Sequence, residues 1–388
     1  MINRRMYRIV HLTSVHSALD VRIFHKECRS LARAGYEVVV LGNHACTDTI
    51  DGVRVQALGQ SSGRLQRMTV TLGGICREAI RSDGDAYHIH DPELLMAGLI
   101  LRAAGKRVVY DIHEDLPRDV LFKTYIAKPI RIPLMWIVEL VENAAARRMS
   151  GLVAATPVIA KRFYARNSNT VVVNNYPVLD EFPPSTGSKW KSRSPVVAYI
   201  GGVSVERGIR EMLAAMDLLP KTLGARLELA GRFFVAELQT ELAASSQWQH
   251  VRWHGELDRN GIASLLKDAW AGLVLLHPEK SHIAAQPVKL FEYMAAGIPV
   301  IASDFPLWRK IIEDAGCGLL VNPLDTRAIA TAIERLITTP TEAEAMGQRG
   351  RKAVERHFNW ASEEKTLLSF YASLLTGPAV VEKETAMT

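Results

Sequence analysis

The chain has 388 residues, 48% of them hydrophobic and 23% charged, with a net charge of +6 and four cysteines. That length exceeds a single core and suits two α/β domains, while Cys28, Cys46, Cys76 and Cys317 lack the paired spacing of a disulfide framework or a cysteine zinc site. No apolar run approaches the roughly 18 residues that span a bilayer, and no signal-peptide core follows the early arginines, so a protein on the cytoplasmic side is expected. The positive excess sits in the first 180 residues, which favours an anionic partner; the arginines are scattered and not interleaved with aromatics, which argues against nucleic acid.

Residues 7–12 read as a first strand, 13–20 as a polar loop, and 21–34 as a helix that Gly35 ends. A second strand at 37–41 follows at the spacing of a βαβ unit, which forces a parallel pair. Further strands are expected at 53–58, 86–90, 107–111, 151–155 and 170–174, with helical text at 65–81 and in the long stretch 122–149. That stretch sets Lys123, Lys128 and Arg131 among Ile126, Ile130, Ile132, Leu134, Met135, Trp136 and Ile137, a composition compatible with contact to an anionic membrane. Residues 181–195, rich in proline, serine and charge, read as a linker.

A second βα series follows, with strands expected at 196–200, 226–230, 251–254, 273–276 and 318–321 and a helix at 208–219. Between them lies the stretch around which the rest is placed: Pro287-Val288-Lys289-Leu290-Phe291-Glu292-Tyr293-Met294-Ala295-Ala296-Gly297-Ile298-Pro299-Val300. Pro287 suits a first helical turn, Gly297 a helix stop at positive φ, and 298–302 a buried parallel strand. Free amides and a partial positive charge at that helix start suit a phosphate, Lys289 adds a full charge, and Glu292 one turn in suits a vicinal diol.

In open parallel sheets, sites lie outside the carboxyl ends of strands. In the first half this selects Ser14-Val15-His16, His90-Asp91-Pro92-Glu93 and Asp111-Ile112-His113-Glu114-Asp115; in the second it selects Gly201-Gly202 and, at the helix entry, Arg207. Glycines let a diphosphate approach the backbone and arginine forks phosphate oxygens. His88 and His90 are read as alternating to opposite strand faces, which argues against a shared metal, and no metal or cofactor is expected.

The stretch at 287–303, with Asp20-Val21-Arg22-Ile23-Phe24-His25-Lys26, Tyr110 to Glu114 and Gly201 to Gly208, resembles retaining glycosyltransferases of family four. The resemblance implies the GT-B fold, two Rossmann-like doubly wound α/β domains facing across a cleft: an acceptor-side domain at 1–180, a nucleotide-sugar domain at 196–356, a helix at 357–376 crossing back, and a tail at 377–388. It implies donor contacts from His16, Gly201, Gly202, Arg207, the amides of Ile283, Ala284, Ala285 and Gln286, Lys289, Leu290 and Glu292, with Ala284 standing where many members carry a second glutamate. It implies chemistry at His113, Arg207 and Lys289, with Asp91, Glu114 and Asp115 orienting the acceptor. The activity so implied is metal-independent transfer of a sugar from a nucleoside diphosphate, UDP above others, to an envelope polysaccharide, lipopolysaccharide or lipid-linked acceptor. A sugar-nucleotide epimerase and a non-catalytic sugar-nucleotide binding module are the rival readings.

Overall fold

The computed structural model describes residues 6–58, 72–121, 126–183, 190 and 193–376. The chain divides into two compact units, Met1–Asn175 with Ala361–Thr388, and Tyr176–Trp360. The expected linker at 181–195 thus begins inside the second unit, with 184–189 and 191–192 outside the described residues; the same holds for 65–71 of the helical text, for Lys123 and for the tail.

The first unit is built on β1 (Arg8–Ser17), β2 (Glu37–Asn43), β3 (Asp48–Ile50), β4 (Val53–Ala57), β5 (Ala86–Ile89), β6 (Arg107–Ile112), β7 (Gly151–Ala154) and β8 (Thr170–Val172), in the order β3-β4-β2-β1-β5-β6-β7-β8. Every pairing is parallel except β3 with β4. That antiparallel edge was not read from the sequence; its turn, Asp51-Gly52, has φ of 50° and 79° at its two residues, the geometry of a tight hairpin. β1 also runs to Ser17, past the expected loop start, with a register break between Leu12 and Ser17. The helix after it is π-helical over Val21–Cys28 and α-helical over Arg29–Arg33, and Asp20 caps it by accepting from the amides of Arg22 and Ile23. β5 is buried along its whole length and β1 from Ile9 to Leu12, as a sheet covered on both faces requires.

The closing helix, Trp360–Thr376, belongs to the first unit from Ala361 on. Tyr371 is buried with its hydroxyl 2.8 Å from His88 Nδ1, and Glu363 accepts from the Asn174 amide at 2.7 Å.

The second unit is all parallel: β9 (Val196–Ile200), β10 (Arg226–Ala230), β11 (Val251–Trp253), β12 (Ala271–Val274), β13 (Val300–Ser303) and β14 (Gly318–Val321), ordered β11-β10-β9-β12-β13-β14. The order reverses between β9 and β12, so the carboxyl end of β9 is the switch point at which such sheets open for a ligand. The 287–303 stretch forms the helix Val288–Ala295, with Pro287 at the N-cap, Gly297 at φ 72° and β13. β13 starts at Val300, two residues later than expected, because the Ile298 amide closes the helix end on Tyr293 O at 3.1 Å.

Candidate active site

In the second unit the switch point carries the glycine turn. Gly201 has φ 100°, and the backbone of Gly231 comes so close that a Cβ there would lie 2.1 Å from Gly201 O. Gly202 is covered by the Phe234 ring, 2.3 Å from an added Cβ, and Arg207 lies with its guanidinium 5.0 Å from the centre of that ring and donates to Gly202 O at 3.3 Å. Gly208, at φ 80°, starts the helix Ile209–Leu218.

Lys289 comes to this turn from the first turn of its helix. It is 9% exposed, its Nζ stands 3.7 Å from the centre of the Tyr199 ring and 3.4 Å from the Cβ position of Gly201, and it has no hydrogen-bond partner among the described residues. Burial, then the charge of Arg207, push its pKa well below the usual lysine range, with Glu292 opposing. Arg207, Lys289, Gly201 and Gly202 therefore come together, and Leu290, next along the helix, is fully buried. Glu292 is buried and accepts from Arg259 Nη1 at 2.7 Å; Arg259 in turn grips Glu181 Oε2 through Nε and Nη2 at 2.9 and 2.5 Å.

The expected cradle of amides needs correcting. Ile283 and Ala284 lie in a short helix, Lys280–Ala284, where the Ile283 amide donates to Glu279 O at 2.9 Å and the Ala285 amide to His282 O at 3.2 Å. Two of the four amides are thus already engaged, because a helical turn uses its own N–H groups. Gln286 Oε1 is buried without a partner among the described residues.

In the first unit two histidine–carboxylate pairs stand side by side at the carboxyl ends of β1, β5 and β6. His16 Nδ1 meets Asp91 Oδ1 at 2.8 Å, His113 Nε2 meets Asp111 Oδ2 at 2.8 Å, and the two imidazole centres are 5.3 Å apart. Asp111 is wholly buried and also takes Arg22 in a fork, Nε and Nη2 each at 2.8 Å, and His90 Nδ1 at 3.1 Å. Burial raises its pKa, and Arg22 with His113 outweigh that and hold it well below the carboxylate range.

Asp91 is not available to a ligand in the way expected. It is 1% exposed, and one oxygen accepts from the amides of Ser14 and Val15 and the hydroxyl of Thr13. The end of β1, at its register break, is wrapped around this carboxylate. Burial raises the Asp91 pKa, but the His16 contact and the Ser14 amide bring it far below the usual range. Asp115 pairs with Arg118 and Arg162 at 2.7 Å each, and Glu114 is exposed.

The reading of His88 and His90 is overturned. Residues two apart on a strand share a face, and their rings stack with centres 4.5 Å apart. His11, opposite His88 in the β1–β5 register, joins them, its Nδ1 2.8 Å from His90 Nε2. Arg22, Asp111 and Arg259 were not assigned a role from the sequence. Arg22 and Asp111 are 89 residues apart, and no local pattern ties such a pair together.

Two family models match the chain, "Glycosyl transferase 4-like domain" over residues 21–175 and "Glycosyl transferases group 1" over residues 185–353. A phosphatidyl-myo-inositol mannosyltransferase of Mycobacterium leprae is 23% identical, with 83% of this chain and 82% of the relative covered. An MMP alpha-(1->4)-mannosyltransferase of Mycolicibacterium hassiacum is 24% identical over 74% and 71%. Among solved structures, a sucrose-phosphate synthase from Thermosynechococcus elongatus superposes with a TM-score of 0.76 at 20% identity, covering 96% of this chain and all of that one. Anabaena Alr3699/HepE, solved in complex with UDP-glucose, gives 0.71 at 16% identity over 95% and 100%.

Proposed function

Because the chain belongs to the GT-B glycosyltransferases of the group 1, family 4 type, we propose that it moves a sugar from a nucleoside diphosphate, UDP above others, with retention of configuration and without a metal in the reaction. The observation that carries this reading is Lys289, a buried ammonium with no anion of its own, set against a glycine turn beside Arg207. Burying a charge without a partner is costly, and a diphosphate supplies what is missing. The UDP-glucose found with the Anabaena neighbour supports UDP as the nucleotide.

On this reading Arg207 and Lys289 hold the diphosphate and stabilise the charge that appears on it as the anomeric bond breaks. Glu292 receives the ribose diol, and Arg259 fixes the rotamer in which it does so. His113 serves the sugar, its Nε2 committed to Asp111 and its other nitrogen left to a ligand hydroxyl. The departing phosphate accepts the acceptor's proton. Glu114, exposed beside His113, is the carboxylate left to orient the acceptor; Asp91 and Asp115 act by holding the loops.

The acceptor class we infer is an envelope glycan or lipid-linked sugar reached at an anionic membrane surface. In support, the helix Lys128–Ala146 exposes Ile130, Ile132, Trp136, Ile137, Leu140 and Val141, each more than half exposed, with Lys128 at its start. No helix among the described residues is long and apolar enough to cross a membrane.

The test is a thermal-shift panel of nucleoside diphosphates and sugar nucleotides, since a ligand of the folded state raises Tm by mass action. UDP or a UDP-sugar should shift the wild type and leave Lys289→Met unmoved. No shift from any nucleotide, or an equal shift in that variant, would overturn the assignment of the site.

A further inference from the structure

From the buried core of the first unit we infer a zinc site formed by His11, His88 and the Glu27 carboxylate, with His90 and Tyr371 as its outer partners. It is independent of the nucleotide reading, which rests on the second unit.

Three elements bring these side chains together. His11 on β1 and His88 on β5 are direct neighbours in register, His90 follows two residues on, and Glu27 reaches them from the π-helical turn packed over the sheet. Each of the four residues offers one ligand atom, and these atoms lie within 4.8 Å of one another. All four residues are 0–1% exposed.

What points to a ligand is the set of atoms left over. His11 Nε2, His88 Nε2 and both Glu27 oxygens are buried without a hydrogen-bond partner among the described residues; Glu27 Oε1 lies 3.1 Å from Arg22 Nε, an ion pair outside hydrogen-bond geometry. Leaving such atoms unpaired is costly, and buried polar atoms left over in this way call for an ion, a water or a proton. Zinc takes four ligands, of which two imidazoles and one carboxylate oxygen supply three and a water the fourth.

The other nitrogens are placed as outer partners of metal-bound histidines should be. His11 Nδ1 contacts His90 Nε2 at 2.8 Å, and His88 Nδ1 contacts the Tyr371 hydroxyl at 2.8 Å. With each Nδ1 as the donor, to His90 Nε2 and to the Tyr371 hydroxyl, both Nε2 atoms are left unprotonated and able to ligate; Glu27 Oε2 stands 3.7 Å from His88 Nδ1. Arg22 then serves the outer oxygen of the carboxylate. The neighbouring trio His90, Asp111 and His113 also groups its ligand atoms within 4.8 Å, but Asp111 is already forked by Arg22. Two imidazoles favour zinc over magnesium or calcium. Bond lengths near 2.0–2.1 Å require the set to draw in by about 1 Å, within the reach of side-chain rotation. Complete burial is no obstacle, since a structural ion enters as the chain folds.

The experiment uses the full chain with any affinity tag removed, grown in zinc-replete medium. Elemental analysis should find about one zinc per chain, and refolding with a chelator should lower Tm, with zinc but not magnesium restoring it. Glu27→Gln and His88→Gln should lose the metal. Where either fails to fold, the wild-type stoichiometry and a zinc-edge absorption spectrum showing nitrogen and oxygen neighbours without sulfur decide. Folded wild type holding less than about a tenth of an equivalent of any transition metal, after refolding in excess zinc, overturns the site and leaves a water or proton among these atoms. The UDP thermal shift on the same preparation reports the second unit separately.

Discussion

In the first unit the buried Asp111 carboxylate meets Arg22 twice, His90 and His113, whereas in the second the buried Lys289 ammonium stands over the face of Tyr199 with no hydrogen-bond partner among the described residues. The same sheet architecture thus handles charge in two ways. A carboxylate whose contacts come from within its own unit holds side chains in place; a cation whose counter-charge is missing is poised for one from outside. The contrast separates what each unit does for itself from what it does for a ligand, and substitutions at the two positions should give opposite signatures.

The largest effect is expected at Asp111. Replacing it by asparagine takes from the buried Arg22 guanidinium the carboxylate that forks it and leaves only the ion pair with Glu27, and breaking a buried pair from one side costs about 3–5 kcal/mol. Chemical denaturation should show that loss, with no recovery on adding UDP beyond the ligand's ordinary shift. A loss under about 1 kcal/mol would mean that the pair is solvated and that the contrast is false.

Lys289→Met should do the reverse. Removing a buried, unpaired cation should leave the ligand-free Tm unchanged or raise it, while turnover falls by about 10²–10³, the usual loss when one preorganised donor to developing charge is removed. The sign with pH follows from the depressed pKa. Between that value and the ordinary 10.5 the unfolded chain holds more protons at this site than the folded protein, so its contribution makes stability rise with pH there. A diphosphate reverses the shift by pairing with the charged form. At a pH between those two values UDP binding should therefore take up protons, which calorimetry in buffers of different ionisation enthalpy measures. Absence of uptake together with unchanged kinetics in the variant would remove Lys289 from the site.

His113→Ala comes next. It is expected to lower turnover by about 10–100-fold while the KM for the sugar nucleotide holds, since the loss falls on the transition state and not on nucleotide binding. A raised KM with unchanged turnover would instead make His113 a donor-binding residue.

How far the sequence carried the reading differs between the same regions. The βα rhythm, the glycine turn at Gly201-Gly202 and the helix bearing Lys289 and Glu292 are local patterns, so they could be read in order. Hydrophobic runs and glycine or proline stops encode them within a few residues. The π-helical turn at Val21–Cys28, the overrun of β1 to Ser17 and the partners of Asp91 depend on contacts such as Thr13 with Asp91, 78 residues away. Periodicity says nothing about those. His88 and His90 are of another kind: two residues apart on extended backbone, they share a face by the strand period itself, and His11 joins them only through the β1–β5 register.

The smallest effect sharpens the comparison most, because it asks whether the first unit's pairs are charged at all. The hydrogen bond to Asp91 raises the His16 pKa, with burial opposing it. A histidine whose folded pKa lies above its unfolded value gives stability that is fully present below about 6.5 and is lost as pH rises through the folded value. The His16 side chain is 38% exposed, so solvent screening keeps the contribution under about 1 kcal/mol. Asp91→Asn keeps one oxygen to accept from Ser14, Val15 and Thr13 and turns an NH2 toward His16, and any weakening of the three accepted bonds has no reason to vary between pH 6 and 8. Only the difference between the two pH values reports His16. Urea unfolding should find the variant's deficit larger at pH 6 than at pH 8, and the imidazole resonances of His16 should titrate above 6.5 in the wild type and return toward it in the variant. An equal deficit at both values would mean that His16 is neutral throughout, and that the end of β1 is held by its amides and hydroxyl alone.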